Sequence, residues 1–162
     1  SNFWEVIMKY WIILFLLLLV CFKARGDEVE CLALNIYHEA RNQPLVGKLA
    51  VAEVTINRMK DDRFPNNICG VVYQGYYTNN NPIKNKCQFS WWCDGKSDRP
   101  RNKKAWEESM KLALYVQNGL FDNIEVVSGS THYHAVYVSP YWTKMKKKVK
   151  VIADHVFYVW EK

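Results

Sequence analysis

Val29-Glu30-Cys31-Leu32-Ala33-Leu34-Asn35-Ile36-Tyr37-His38-Glu39-Ala40-Arg41 is the stretch on which the fold turns. Val29, Ala33, Ile36 and Ala40 recur at helical spacing, which predicts a helix with one buried stripe. Asp27 and Glu28 suit its positive end, and Pro44 lies just past its last residues. A second helix follows over residues 45–59. Leu45, Leu49, Ala52 and Ile56 mark one face, and Val46, Ala50 and Val54 widen it, so this helix is buried around much of its circumference. A third spans 103–118, with Trp106, Met110 and Ala113 on one face and Gly119 as its stop.

The C-terminal part changes period. Thr131 to Val138 alternates, with Thr131, Tyr133, Ala135 and Tyr137 on one side and His132, His134, Val136 and Val138 on the other. Residues 149–152 and 155–160 are two more strands, joined by a turn at Ala153-Asp154. Helices first and strands after predict an α+β single domain, N-terminal helices followed by a small antiparallel sheet. Residues 61–102 read as loop-rich. Phe64-Pro65-Asn66-Asn67 and the stretch 77–82 carry turn chemistry. Val71-Val72-Tyr73 is a short helix or a short strand. Residues 88–92 read as a strand between two cysteines, closed by an Asp94-Gly95 turn.

Upstream, residues 10–22 form an unbroken apolar or aromatic run, preceded by Lys9 and followed by Lys23 and Arg25. The run is short of the ~20 residues a spanning helix needs. It fits the apolar core of a secretory signal peptide starting at Met8, with Ser1–Ile7 upstream of it and Ala24-Arg25-Gly26 as a cleavage triplet. A retained signal anchor is the alternative, because two cations sit close to that bond. Residues 1–26 are therefore assigned to export and 27–162 to the exported domain, in the periplasm or cell envelope. Four of the five cysteines fall in that domain: Cys31, Cys69, Cys87 and Cys93. An even count in an oxidising compartment predicts two disulfides, with a lean toward Cys87–Cys93 as neighbours in sequence. Zinc ranks below this, since no CxxC pair is present.

The 162-residue chain is 49% hydrophobic and 15% aromatic, a globular composition with more rings than one small core needs. Some of those rings suit a groove for an extended ligand. The net charge is +6; residues 1–26 contribute +2 from Lys9, Lys23, Arg25 and Glu5, leaving +4. A moderately basic exported domain favours the anionic cell envelope, and export argues against nucleic acid. The Lys144–Lys150 run is a solvated edge that also attracts such a surface.

Glu39 is the candidate for acid chemistry. It stands at the negative end of a helix beside apolar surface, and both disfavour its ionised form. A carboxyl that keeps its proton near neutrality can give it to a glycosidic oxygen. An ion pair with Arg41 or a solvated helix end is the plainer reading. The four histidines, His38, His132, His134 and His155, invite a metal site. Yet Asn42 stands where an HExxH motif needs its second histidine, and an alternating His-Tyr-His strand also makes a polar groove wall, which is the reading preferred here. No metal and no cofactor are expected. Gln88-Phe89-Ser90-Trp91 mixes amide, hydroxyl and rings as sugar-binding segments do. Asp94 is the nearest candidate for a second carboxylate, with a turn role ranked first.

These motifs, in order, resemble the SleB/CwlJ-type cell wall hydrolases, a spore cortex-lytic family. The resemblance runs through Ile36-Tyr37-His38-Glu39-Ala40-Arg41, Gly47 to Val54 with Asn57-Arg58, and Phe64-Pro65. It continues through Cys69 to Gln74, Cys87-Gln88-Phe89-Ser90-Trp91, Thr131-His132-Tyr133-His134, Pro140-Tyr141-Trp142 and His155-Val156-Phe157-Tyr158. Asn42 replaces the family's usual glycine. The resemblance implies a compact, lysozyme-like catalytic domain that cuts peptidoglycan glycan strands between N-acetylmuramic acid and N-acetylglucosamine. It implies Glu39 as the catalytic residue. Gln88, Ser90, Trp91, His132, Tyr133 and His134 are expected to bind substrate, together with Trp142, His155 and Tyr158. A single well-supported carboxylate favours a lytic transglycosylase giving 1,6-anhydromuramic products. A hydrolytic muramidase ranks next. A zinc amidase using His132, His134 and His155, and a non-catalytic wall-binding module, rank lower.

Overall fold

The computed structural model describes residues 3–161; Ser1, Asn2, Lys162 and the side chains of residues 3 and 21–25 lie outside it, and with them the expected cationic flank of the apolar run. In chain order the elements are α1 (Phe3–Ala40), α2 (Leu45–Lys60), α3 (Ile68–Val72), β1 (Gly75–Thr78), β2 (Asn81–Cys87), a 3₁₀ turn (Ser90–Cys93) and α4 (Lys103–Gln117). Then come β3 (His132–Ala135), a second 3₁₀ turn (Tyr141–Met145), β4 (Lys147–Ile152) and β5 (His155–Val159). Helices precede a three-stranded antiparallel sheet of order β3-β5-β4, the expected α+β arrangement.

α1 differs from expectation in length. It does not begin at Asp27; it is one helix of 38 residues that passes through Gly26 without a break. A single glycine in a helix weakens it by only about 1 kcal/mol, and no proline or cap intervenes. The two halves have different surroundings. Trp4 and residues 10–20 are exposed, whereas Leu32, Ala33 and Ile36 are fully buried. Among the described residues no helix is long and apolar enough to cross a membrane, so the expectation of a retained anchor gains no support here.

The second half of α1 packs on α2, α3 and α4. Leu32, Ala33 and Ile36 meet Ala52, Val71, Val72, Phe89 and Ala113 in the larger core. The opposite side of α2 serves a second core, where Ala50 and Val54 meet Val127 of the segment before β3 and Ile152 and Phe157 of the sheet. α2 is thus the shared layer, buried on both sides from Gly47 onward as its sequence predicts, whereas Leu45 and Val46 of its first turn, expected on the apolar faces, are exposed. Polar side chains of its second half tie it to the segment that enters β3. Glu53 accepts hydrogen bonds from the Val126 and Val127 N–H groups, Asn57 donates to Ser130 O, and Arg58 Nε donates to Thr131 O at 2.6 Å. Glu28 does the same for α3, accepting from the Ile68 N–H at 2.6 Å, where a carboxylate suits the helix start.

The middle segment corrects the sequence reading twice. β1 and β2 form a hairpin through Asn79 and Asn80, both at positive φ (49° and 63°), the two-residue turn that asparagine tolerates. Its flanks are too polar and exposed to show a period. Residues 88–92 are not a strand, since the 3₁₀ turn occupies Ser90–Cys93. The disulfide explains why. Six residues of strand would span ~20 Å, whereas Cys87 and Cys93 are bridged with Cα atoms 6.1 Å apart. A strand there and the favoured Cys87–Cys93 pairing exclude each other, and the pairing prevails. The second bridge joins Cys31 of α1 to Cys69 of α3.

The two bridges close loops of very different length. With sequence separations of 38 and 6, loop-closure entropy assigns about 4 kcal/mol to Cys31–Cys69 and about 2 kcal/mol to Cys87–Cys93. Cys31→Ser is therefore expected to lower the unfolding free energy about twice as much as Cys87→Ser, read from denaturant titrations of the oxidised proteins.

Candidate active site

A polar cavity of about 440 Å³ opens between the end of α1 and the face of β3. Such a volume lies within the range of small-ligand sites. α1 contributes His38 and Glu39, and α2 contributes Arg58. Gln88, Ser90, Trp91 and Asp94 come from the segment behind β2. Tyr133 and His134 come from β3, and His155 from β5.

Glu39 is held by β3. The Tyr133 hydroxyl donates to Glu39 Oε2 at 2.9 Å. Burial raises the Glu39 carboxyl above its ordinary 4.5; the Tyr133 hydrogen bond and the charge of Arg58 pull it down by less. Tyr133 itself is raised well above 10, by burial first and then by Glu39. The phenol therefore keeps its proton and acts as a donor. Arg58 is buried, with its guanidinium 4.9 Å from the Phe89 ring centroid and 5.4 Å from that of Phe64. Burial lowers it below the ordinary arginine value, with Tyr133 and Glu39 opposing. Apart from the bond of Nε to Thr131 O, it has a buried Nη1 with no partner. The arrangement can store a proton on Glu39 and stabilise the anion left when that proton departs.

The other expected site residues divide into three sets. Gln88 and Ser90 are exposed on the rim. Trp91 is buried in the wall, its ring stacked on His38 at 4.5 Å and its N–H donated to Asn35. His155 lines the cavity with Nδ1 buried and unpartnered, and burial lowers its imidazole below 6.5. His134 also lines the cavity. Its Nδ1 faces Ala135 O at 2.8 Å, so that nitrogen carries the proton, and Nε2 accepts from the Tyr158 hydroxyl at 3.0 Å. Tyr158 and Trp142 stand behind His134 rather than in the cavity. His132 is outside as well, packed against Phe64, Trp142 and Trp160.

This placement separates the histidines. His132 and His134 point to one face of β3, and His155, opposite Ala135 in register, shares the other face with Tyr133. Among the described residues no group of three or more His, Cys, Asp or Glu gathers to hold a metal ion. Asp94 takes the turn role: Oδ1 accepts from the Lys96 N–H at 2.8 Å, although the side chain also lines the cavity. Arg58 is the member that sequence reasoning missed. A signal existed, because it stands four residues after Val54 on a helix face that is otherwise buried.

Residues 42–158 match the sequence model of the family described as Cell Wall Hydrolase. The match holds every element from α2 to β4 and β5 as far as Tyr158, and starts three residues after Glu39. A spore cortex-lytic enzyme from Halalkalibacterium halodurans is 40% identical over 48 residues, and one from Bacillus subtilis 38% over 49. Each stretch covers 30% of this chain but only 14% and 16% of those relatives, so the chain spans a small part of their length. Among solved structures, the catalytic domain of the germination-specific lytic transglycosylase SleB from Bacillus anthracis superposes with a TM-score of 0.57 at 22% identity, covering 82% of this chain and 93% of that one. The SleB catalytic domain of Bacillus cereus gives 0.56 at 22% identity, with 82% and 89% covered. The fold is theirs.

Glu39 binds its proton more tightly in the folded chain than in the unfolded one. Its stabilising contribution is present below the unfolded value near 4.5 and is lost as pH rises through the raised folded value. Glu39→Gln mimics the protonated side chain. The variant is expected to melt with wild type at pH 4 and above it at pH 8, by thermal unfolding; equal melting at both would mean the carboxyl is not under strain.

Proposed function

We propose that this chain, which belongs to the cell wall hydrolase family, cuts peptidoglycan glycan strands between N-acetylmuramic acid and N-acetylglucosamine, with Glu39 as its acid and base. The observation that carries this reading is the 2.9 Å bond between Tyr133 and a carboxyl whose hold on its proton burial strengthens, inside a cavity open enough for a sugar. Glu39 gives its proton to the glycosidic oxygen as the muramic C1–O bond breaks. The resulting carboxylate is stabilised by the Tyr133 hydroxyl and the Arg58 charge. It then takes the proton of the muramic C6 hydroxyl as that oxygen bonds to C1. The balance is a 1,6-anhydro end, a free hydroxyl on the leaving sugar and Glu39 protonated again, with no water consumed. Intramolecular attack has the advantage of proximity, with effective molarities of roughly 10⁵ M or more.

His155 and His134 in the wall, and Gln88 and Ser90 on the rim, offer hydrogen bonds to the sugar. The residues before 27 serve export, and two disulfides suit the oxidising envelope where the substrate lies. A hydrolytic muramidase is the second reading. It is favoured by one observation, Asp94 on the wall of the same cavity.

Removing a general acid costs ~10²–10⁴-fold in rate. Glu39→Gln is accordingly expected to slow release of soluble fragments from purified peptidoglycan by at least ~100-fold while remaining folded. Wild-type digestion by a folded variant would remove Glu39 from the mechanism. Digestion in ¹⁸O-water is expected to yield anhydromuropeptides without label at muramic C1; labelled reducing ends would select the muramidase and make Asp94 the next carboxylate to test. Activity is expected to persist in EDTA. Loss on chelation with recovery on added zinc would favour an amidase.

A further inference from the structure

The end of the chain builds a corner that the cavity does not use. Trp160, just beyond β5, is exposed and has two cations against its ring. The Arg63 guanidinium is 4.3 Å from its centroid and the Lys146 ammonium 4.4 Å. Lys146 also lies 5.6 Å from the ring of Trp142. Arg63 already has its acid, a two-toothed contact with Asp61. Lys146 has no ion-pairing carboxylate among the described residues, while its neighbour Lys147 pairs with Glu161. It also differs from the rest of the basic run: Lys144, Lys147, Lys148 and Lys150 are exposed, and Lys146 is half-buried between two indoles.

The field in this corner is positive. His132, in contact with both indoles, is pushed down to about 3, by burial first and then by Arg58, Lys146 and Arg63, with Asp61 opposing. An ammonium partly stripped of water over aromatic faces binds an anion more strongly than one on an open surface. The corner backs onto the cavity wall at the edge strand β3. Trp142 touches Lys146 on one side and, at 5.7 Å between ring centroids, packs on the other against His134, which lines the cavity.

We propose that Lys146, between Trp142 and Trp160, receives a carboxylate of the peptide stem that hangs from muramic acid while the glycan occupies the Glu39 cavity. This inference rests on the peptidoglycan reading above. The backbone of an N-acetylated glycan strand is uncharged, and its negative charges are on the stems. A cation beyond Trp142 and His134, around the edge of β3 from the cavity, is therefore placed for the stem and not for the sugars. The outer lysines of β4 remain a general attraction to the envelope.

The test uses the full chain carrying Glu39→Gln, so that ligands persist. Three soluble glycans are titrated at low salt while the Trp142 and Trp160 indole N–H signals are followed by NMR: N-acetylglucosamine oligomers, glycan strands with free stem carboxylates, and the same strands with amidated stems. A charge-assisted hydrogen bond is worth ~1.5–3 kcal/mol, so the free-carboxylate strands are expected to bind about tenfold tighter or more. Adding Lys146→Gln is expected to abolish that ratio and leave oligomer affinity unchanged. Equal affinity for free and amidated strands overturns the proposal. So does a preference that survives Lys146→Gln, or poly-γ-glutamate binding as tightly as the strands, which marks a general polyanion surface. The cleavage reading fails separately, if the Glu39→Gln chain still digests strands, an outcome on which the binding ratio does not depend.

Discussion

The buried amide of Asn35 is the interaction from which the arrangement of this protein follows. It is fully buried in α1, donates to Thr55 Oγ1 of α2 at 3.0 Å and accepts from the Trp91 indole N–H at 3.1 Å. Thr55 in turn donates to Val51 O. A buried amide left without partners costs several kcal/mol, so three segments distant in sequence must meet at one point and in one orientation. Glu39 stands one helical turn beyond Asn35. Once the amide fixes the rotation of α1, the carboxyl faces β3 and not solvent, and Trp91 closes the wall beside it.

The second constraint comes from α2. Glu53, Asn57 and Arg58 hold the backbone of residues 126, 127, 130 and 131, the segment that enters β3. These bonds set where the strand starts, and the strand alternation then decides that Tyr133 faces Glu39 while His132 and His134 face Trp142. One helix carries both the core layer and the polar contacts that position the site. A hydrophobic core alone would leave β3 free to slide by a residue, which would exchange the phenol for an imidazole.

The electrostatics of the site follow from this packing. Desolvation is the largest influence on Glu39, Tyr133 and Arg58 alike, and in each case it disfavours the charged form. The three groups compensate one another only in part. That leaves a carboxyl biased toward its protonated form, yet tolerable as an anion because a donor and a cation are already in place.

Much of this was legible in the chain. The 3.6-residue stripe in 29–40, the wide apolar surface of α2 and the alternation expected over 131–138, of which the strand keeps His132–Ala135 before a turn, determine helices before strands, because periodicity records which side of an element meets the core. An even set of cysteines determined the number of bridges, and an acid at an apolar helix end marked Glu39. Tertiary structure decided the rest. The Ser90–Cys93 turn replaced an expected strand because a disulfide drew its ends together, and the β1–β2 hairpin formed where polar flanks carry no period. His132 lies away from the cavity while Arg58 enters it, since which strand face meets which helix depends on bonds across some 70 residues of sequence, such as Arg58 to Thr131. Local spacing records how a residue sits on its own element. It holds no record of what a buried polar group 73 residues away needs as its partner.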